Sequence, residues 1–178
     1  MGRYESKKSK PNVLIFVLLI ITVVAICVTV WALFCRDSSP VLSPDYAPQE
    51  EEKNAETIPN DTGEKMENPE GGGSVSLTYS RDVSIDLSDE KATLLFANPG
   101  KSNQDIVLQI VIQDTVIVQS GTLKPGNQVT VLDLLDGTAK KLSAGSYEGN
   151  FNVLYYNPET GEKAIVNTEI PITITVNN

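Results

Sequence analysis

A run of 23 uncharged residues, from Val13 to Cys35, constrains this chain more than any other stretch. At about 1.5 Å of rise per residue, a helix of this length measures about 35 Å and can cross a hydrocarbon core about 30 Å thick. A helix also satisfies its backbone hydrogen bonds within one segment, which lipid requires. The run therefore predicts a transmembrane helix over residues 13–35.

The flanks of this run indicate its orientation. Residues 1–12 form a basic tail with four lysine or arginine residues and one acid, whereas Asp37 and an acidic tract follow the run. An excess of lysine and arginine marks the cytoplasmic flank of a membrane helix. A cleaved signal peptide is the alternative, but the run exceeds an apolar core of about 7–15 residues, and Phe34 is bulky next to a cleavage site. We therefore expect a retained single-pass anchor with a cytoplasmic N-terminus and with residues 36–178 outside the cell.

One face of the predicted helix carries small side chains. They recur at a helical spacing, at Thr22, Ala25, Thr29 and Ala32. Small faces allow membrane helices to approach closely, so this face is a candidate for homo-association. The alternative is a chance arrangement in a helix rich in valine, isoleucine and alanine.

The next segment, residues 36–74, predicts a disordered linker. It contains five prolines, ends in Gly71-Gly72-Gly73-Ser74, and carries ten acidic against three basic residues, a net charge of −7. A segment of low hydrophobicity and high charge does not bury enough apolar surface to fold. An acidic outer portion also repels nucleic acid, which is therefore excluded as a partner. We expect a solvated spacer between the membrane and one folded domain, residues 75–178.

Alternation of apolar and polar residues predicts an all-β domain over residues 75–178. A period of two is typical of half-buried strands. Turn residues separate the runs, including Pro125-Gly126 and the stretch from Asn157 to Gly161. Pro171 lacks a backbone donor and predicts an edge position. The alternating windows are 75–79, 83–87, 91–97, 105–113, 115–119, 127–135, 146–156 and 163–176.

One motif points to a family. The pattern Leu-x-x-Gly-x-Tyr at residues 142–147 resembles the tyrosine corner of immunoglobulin-like sandwiches. Together with Leu-x-Pro-Gly at residues 123–126, it is similar to bacterial surface immunoglobulin-like modules of the cell-adhesion-related type. The resemblance implies a single antiparallel β-sandwich of about seven or eight strands, with the tyrosine hydroxyl bonded to backbone a few residues upstream. It implies structural roles for Pro125, Gly126, Gly145 and Tyr147.

Reactive side chains are scarce outside the predicted membrane run. The chain has no histidine, and both cysteines, Cys27 and Cys35, lie within that run. Histidine-based triads, histidine-ligated metals and thiolate nucleophiles are therefore excluded from the outer domain. Acidic residues remain as candidates for calcium ligands or for a hydrolase carboxylate pair, but their spacing fits no EF-hand loop. We expect no enzyme activity, no cofactor and no metal site.

These features predict a membrane-anchored module that binds another protein of the cell envelope, in an adhesion, secretion or transfer assembly. Loops on a rigid scaffold commonly carry binding residues, and an edge strand near Pro171 offers a second surface by strand addition. The alternative is a module that binds the cell wall or a glycan, for which Tyr156 would supply an aromatic platform. The candidate partner-binding residues are Asn98, Lys101, Asn103, Tyr156, Asn157 and Glu159.

Overall fold

The computed structural model describes residues 12–34, 44–61, 63–70 and 72–178. The chain divides into two compact units, Met1–Ser39 and Pro40–Asn178. Residues 1–11 of the predicted basic tail, the last residue of the predicted membrane run and residues 36–43 of the predicted linker lie outside the described residues.

The first unit contains helix α1, which spans Asn12–Phe34. Its side chains are described for residues 15–29, and they are exposed. The hydroxyls of Thr22 and Thr29 each donate to the carbonyl four residues earlier, at 2.9 and 2.8 Å. Over the residues described in this way, no helix is long and apolar enough to cross a membrane.

The second unit is all-β, as the alternation predicts. The observed strands follow the predicted windows closely, except that β2 begins three residues later and β1 arises in the predicted linker. A short 3₁₀ helix at Ala139–Lys141 precedes β8. The strands are β1 (Glu56–Thr57), β2 (Thr78–Tyr79), β3 (Asp82–Asp86), β4 (Lys91–Asn98), β5 (Asp105–Ile112), β6 (Thr115–Gln119), β7 (Asn127–Asp133), β8 (Gly145–Tyr156) and β9 (Lys163–Asn177).

These strands form one curled sheet with the order β1-β7-β4-β3-β9-β8-β5-β6, and β2 also pairs with β4. The immunoglobulin resemblance implied two separate sheets. Here the sheet is continuous because β3 pairs antiparallel with β4 and parallel with β9. A backbone hydrogen bond of 2.9 Å from Leu135, just after β7, to Ile117 in β6 then brings opposite ends of the strand order together.

The sheet curls around one main apolar core. Alternate residues of β9, from Ile170 to Val176, are buried in it, together with alternate residues of β4 and β5. This period of two is the signal on which the strand predictions were based. Phe96 of β4 and Phe151 of β8 meet in the core, edge to face, with ring centroids 5.6 Å apart. The two halves of the sheet are therefore joined by packing as well as by the β3–β9 ladder.

Two predicted turns form where glycine supplies a positive φ. Gly126 has a φ of 88°, and the amide of Asn127 donates to the carbonyl of Lys124 at 3.2 Å across the turn. A type II turn requires this geometry, and proline ahead of the glycine favours it. Gly161, with a φ of 70°, lies in the β8–β9 hairpin loop. Both turn predictions are confirmed.

Candidate functional site

Residues 44–61, which the sequence predicts to be part of a disordered spacer, lie along the β-domain instead. We call this stretch the wrapping segment. The amide of Ala47 donates to the carbonyl of Gly161, and the amide of Thr122 donates to the carbonyl of Glu50, both at 2.9 Å. A sequence rich in proline and acids still carries backbone donors and acceptors, and the domain's loops satisfy them. The segment is therefore part of the folded unit.

Glu52 anchors the middle of the wrapping segment. It is 9% exposed, and its Oε2 accepts a hydrogen bond from the amide of Gly121 at 2.8 Å. Its Oε1 accepts from the amide of Asn54 at 2.9 Å. Hydrogen bonds to a carboxylate are stronger than neutral ones and offset the cost of burying the charge. One glutamate thus fixes the segment against the loop that follows β6.

Beyond Glu52, the chain pairs with the sheet and then contacts the loop between β4 and β5. The wrapping segment joins the sheet as β1, which pairs with β7. At its end, the carboxylate of Asp61 accepts a hydrogen bond from the amide of Gly100. Further along, the amide of Met66 donates to the carbonyl of Lys101 at 2.8 Å. These contacts hold the loop at residues 98–104, which carries three of the candidate partner-binding residues.

Gly121 is expected to be required for docking of the wrapping segment. A Cβ added there would lie 2.9 Å from the carbonyl oxygen of Glu50 and equally close to backbone atoms of the next two residues. Since the obstructing atoms are backbone, Gly121→Ala must displace the segment, at a cost of about 1–3 kcal/mol. Limited proteolysis of the full-length protein should then cut within residues 44–61 several-fold faster.

The matched control for this prediction is Glu50→Ala. It removes an exposed side chain but keeps the carbonyl that Thr122 uses. Its cleavage rate should equal that of the parent protein. Equal rates for Gly121→Ala and the parent would show that the segment does not depend on this contact.

Two of the candidate partner-binding residues make hydrogen bonds to backbone that hold the loop at residues 98–104 in place. Asn98 is fully buried, and its Nδ2 donates to two backbone carbonyls, both at 3.0 Å. The side chain of Asn103 is bonded to backbone atoms of Met66 and Ser74, at 3.1 and 2.7 Å. A buried side chain does not reach a partner, so the structure gives Asn98 a structural role in place of the expected binding role.

Tyr156 is also buried, in contrast to the exposed platform expected from the sequence. It packs with Val107, Leu154 and Ala47 in a second, smaller core. Its hydroxyl donates to the carbonyl of Pro44 at 3.0 Å, across 112 positions of sequence. Tyr156 points away from the main core, as its phase in β8 indicates. The wrapping segment covers that outer face, which the local pattern does not reveal.

The remaining three candidates, Lys101, Asn157 and Glu159, are exposed. The Oδ1 of Asn157 accepts the amides of Glu159 and Thr160, at 2.8 and 3.2 Å, and so closes its own turn. Lys101 belongs to the loop at residues 98–104, whereas the other two belong to the β8–β9 hairpin. The structure therefore does not show the six candidates as one shared surface.

The tyrosine-corner hydrogen bond is present. The hydroxyl of Tyr147 donates to the carbonyl of Ser143 at 2.9 Å, and the ring packs against the main core. Gly145, at the start of the same strand, has a φ of 153°. The hydroxyl of Tyr147 therefore bonds to backbone four residues upstream, at the distance in sequence that the motif implies.

Among the acidic residues of the outer domain, Asp86 closes the turn between β3 and β4. Its Oδ1 accepts the amides of Ser88 and Asp89 at 2.9 and 3.2 Å. These bonds, that from Asp89 first, lower the pKa of Asp86 because they stabilise the charged carboxylate. The carboxylate is therefore used by the turn itself.

Strand β9 has a free side over its first half. β8 pairs with β9 along most of its length, whereas β3 joins it only from Thr173. Of the described strands, none pairs with the other side of residues 164–170, which we call the open edge. Ile165 is 100% exposed there, and Val166 is 67% exposed. Pro171 predicts an edge nearby but does not indicate these two residues, for which adjacent aliphatics that break the alternation were the available signal.

A groove of about 830 Å³ runs beside the open edge. It forms where the sheet divides, because β2 stays with β4 while the first half of β9 stays with β8. Val75 and Tyr155 contribute apolar surface on either side, together with Ile165 and Val166. The hydroxyl of Tyr155 donates to Thr168 at 2.8 Å, and burial raises the pKa of Tyr155. The groove thus offers a fixed aromatic ring, exposed aliphatics and a strand edge.

Comparison with known proteins finds similarity in structure but none in sequence. No protein family model matches the chain, and no curated protein matches it. Among solved structures, the chain is similar to AggA, the major subunit of aggregative adherence fimbriae type I of Escherichia coli. The two share 10% sequence identity with a TM-score of 0.31, over 63% of this chain and 100% of the other.

Proposed function

We propose that this protein is a non-catalytic, membrane-anchored module that binds another protein of the cell envelope through the groove at the open edge. The observation that carries the proposal is the pair Ile165 and Val166, 100% and 67% exposed on the first half of β9, which lacks a described neighbour on one side. Exposed apolar residues beside a groove are typical of interaction sites, whereas scattered single ones are ordinary. The chemistry of the groove favours recognition, because it combines apolar surface with strand backbone.

The anchor in this proposal is the uncharged run of residues 13–35. Its length suits a hydrocarbon core of about 30 Å, and the bonds that Thr22 and Thr29 make within α1 leave no hydroxyl proton to be satisfied by lipid. The basic tail ahead of the run favours a cytoplasmic N-terminus and an extracellular β-domain. The small face at residues 22, 25, 29 and 32 would then be available for association between copies.

The alternative function, glycan binding, depended on an exposed Tyr156. Tyr156 lies in the second core and not on the surface. A sugar platform needs an exposed, flat aromatic ring, so we retain the protein-binding function as the proposal.

Photo-crosslinking in intact cells tests the proposal. A photoreactive amino acid at position 165 of the full-length protein should trap a neighbouring protein, whereas the same probe at the exposed Lys140 should not. Replacing Ile165 and Val166 by serine should lower recovery of that neighbour at least about tenfold. Burial of an aliphatic side chain contributes about 1.5–3 kcal/mol, and 1.4 kcal/mol corresponds to tenfold. Equal trapping at positions 165 and 140, or unchanged recovery with the serine variant, would refute the site.

A further inference from the structure

We infer that the groove takes an extended, basic segment of the partner protein, which adds a short strand to the open edge of β9. This inference rests on the proposed function and specifies how the groove is used. It commits to a peptide segment with aliphatic side chains at alternate positions and with lysine or arginine between them.

The direction of the backbone groups supports strand addition. The amide of Thr173 donates to the carbonyl of Arg81, on the side of β9 that faces β3. Backbone groups alternate between the two sides of a strand, so Asn167 and Glu169 direct theirs to that same side. β3 does not extend there, because it begins opposite Thr173. Pro171 lies between these positions and has no amide proton to offer. An added strand would therefore pair with β9 on the same side as β3, along the residues that β3 does not reach.

The added strand must be short. The β8–β9 register shifts between Leu154 and Tyr156, which leaves a bulge opposite them at residues 164–166 of β9. Bulges and prolines limit edge-to-edge pairing, and here they bracket residues 167–170. At about 3.3 Å per residue this stretch is about 13 Å long. Because so short a strand makes few backbone hydrogen bonds, side-chain contacts must contribute to the affinity as well. Ile165 and Val166, which lie in the bulge, would supply such contacts.

The groove is large enough for such side chains. Its volume of about 830 Å³ lies within the range of about 300–1,000 Å³ that is usual for ligand sites. Strand addition places alternate side chains on the same face, so aliphatic residues two apart would contact Val75, Tyr155 and Ile165.

Charge specifies the chemistry of the partner. Exposed carboxylates lie in or next to the segments that form the groove and the open edge. Glu162 lines the groove beside Lys163, Glu67 and Glu70 flank the lining residues 68–69 in sequence, and Glu169 belongs to the open edge itself. Opposite charges across a site favour a basic segment and raise its rate of association. The same carboxylates argue against a second copy of this chain, because a symmetric contact through the open edge would bring these acids toward their own copies.

Peptide binding to the full-length protein in detergent micelles tests this mode. The probe is a fluorescent eight-residue peptide that alternates valine and lysine, followed by fluorescence anisotropy. A peptide with glutamate in place of lysine should bind at least about tenfold more weakly, a difference of about 1.4 kcal/mol. A lysine peptide that is N-methylated at alternate residues loses its edge donors and should weaken by a similar factor.

Charge reversal separates the groove from the net charge of −9. Glu169→Lys should weaken binding of the lysine peptide at least about fivefold and improve binding of the glutamate peptide, by the logic of complementary charge. The control Asp89→Lys makes the same change of charge in the exposed β3–β4 turn and should leave both affinities within about twofold. Equal effects of the two reversals would overturn the inference, since binding would then follow overall charge.

The crosslink at position 165 distinguishes the inference from the function on which it rests. If position 165 traps a different protein but N-methylation does not weaken the peptide, strand addition is wrong and the proposed function stands. If position 165 traps a second copy of this chain, the basic-segment inference is overturned. If it traps no protein and the peptides do not bind, both proposals fail.

Discussion

Replacing Tyr156 by alanine is expected to lower the free energy of unfolding by about 3–5 kcal/mol, as removal of a buried aromatic ring usually does. The ring is fully buried against Val107, Leu154 and Ala47, and its hydroxyl holds the carbonyl of Pro44. Alanine therefore leaves a cavity and also releases the start of the wrapping segment. Urea denaturation of the full-length protein in micelles, followed by the β-sheet circular dichroism signal, measures the loss.

The control Tyr156→Phe keeps the ring and removes only the hydroxyl. It should cost about 1 kcal/mol, the usual contribution of one hydrogen bond. An exposed tyrosine of the kind expected for a glycan platform would behave differently, since surface substitutions usually change stability by less than about 0.5 kcal/mol. A loss of that small size for Tyr156→Ala would show that the second core is not formed.

The same tyrosine predicts a loss of stability at high pH. Burial raises the pKa of Tyr156 to about 12, and the carboxylate of Asp45 adds to the rise. Below about pH 10 the phenol is neutral in both states, so its contribution to stability is fully present. Between about pH 10 and 12 the unfolded chain releases this proton and the folded chain does not, which favours unfolding. The fall in stability over this range should be smaller in Tyr156→Phe, and an identical fall would contradict the assignment.

The second large effect is expected at Phe151, where alanine should lower the free energy of unfolding by about 3–5 kcal/mol. Phe151 is fully buried and meets Phe96 edge to face, with ring centroids 5.6 Å apart. Edge-to-face pairs contribute about 0.5–1.5 kcal/mol beyond the apolar area that they bury. Because the pair connects β4 with β8, its loss weakens the closure of the curled sheet. Urea denaturation measures this effect as well.

Two controls show whether the cost comes from the core contact. Phe151→Leu keeps most of the apolar volume that alanine removes, so it should lower the free energy of unfolding by less than about 1.5 kcal/mol. Ile165→Ala removes a large aliphatic group that is fully exposed and should change stability by less than about 0.5 kcal/mol. Similar losses for Phe151→Ala and Ile165→Ala would contradict the assignment of Phe151 to the core.

Local chemistry made much of the fold predictable. The strands from β3 to β9 and the turn at Pro125-Gly126 follow from side-chain alternation and from the positive φ that glycine tolerates. The hydrogen bond of Tyr147 to Ser143 spans four residues, so a short motif was enough to indicate it. Each of these features depends on residues that are close together in the chain.

The candidate site was less predictable, because it depends on which distant segment covers which face. The local sequence around Tyr156 is the same whether its side of β8 is exposed or covered. It is covered because the wrapping segment, in which Pro44 lies 112 positions away in sequence, docks on it. Asn98 similarly looked like a loop residue until its carbonyl partners were known. Ile165 and Val166 break the alternation in the sequence, but only the structure shows that β3 pairs with β9 from Thr173 onward and leaves them exposed.

The amino-acid sequence thus determined the apolar helix, the strand phases and the turns, because periodicity and backbone preference act over a few residues. Only the tertiary structure decided that residues 44–61 dock, that β3 joins the two halves into one sheet, and that one half of β9 is left open. The physical reason is that burial and strand pairing are satisfied between segments far apart in the chain. A local pattern shows that a face or an edge needs a partner, whereas the fold determines which segment supplies it and where none does.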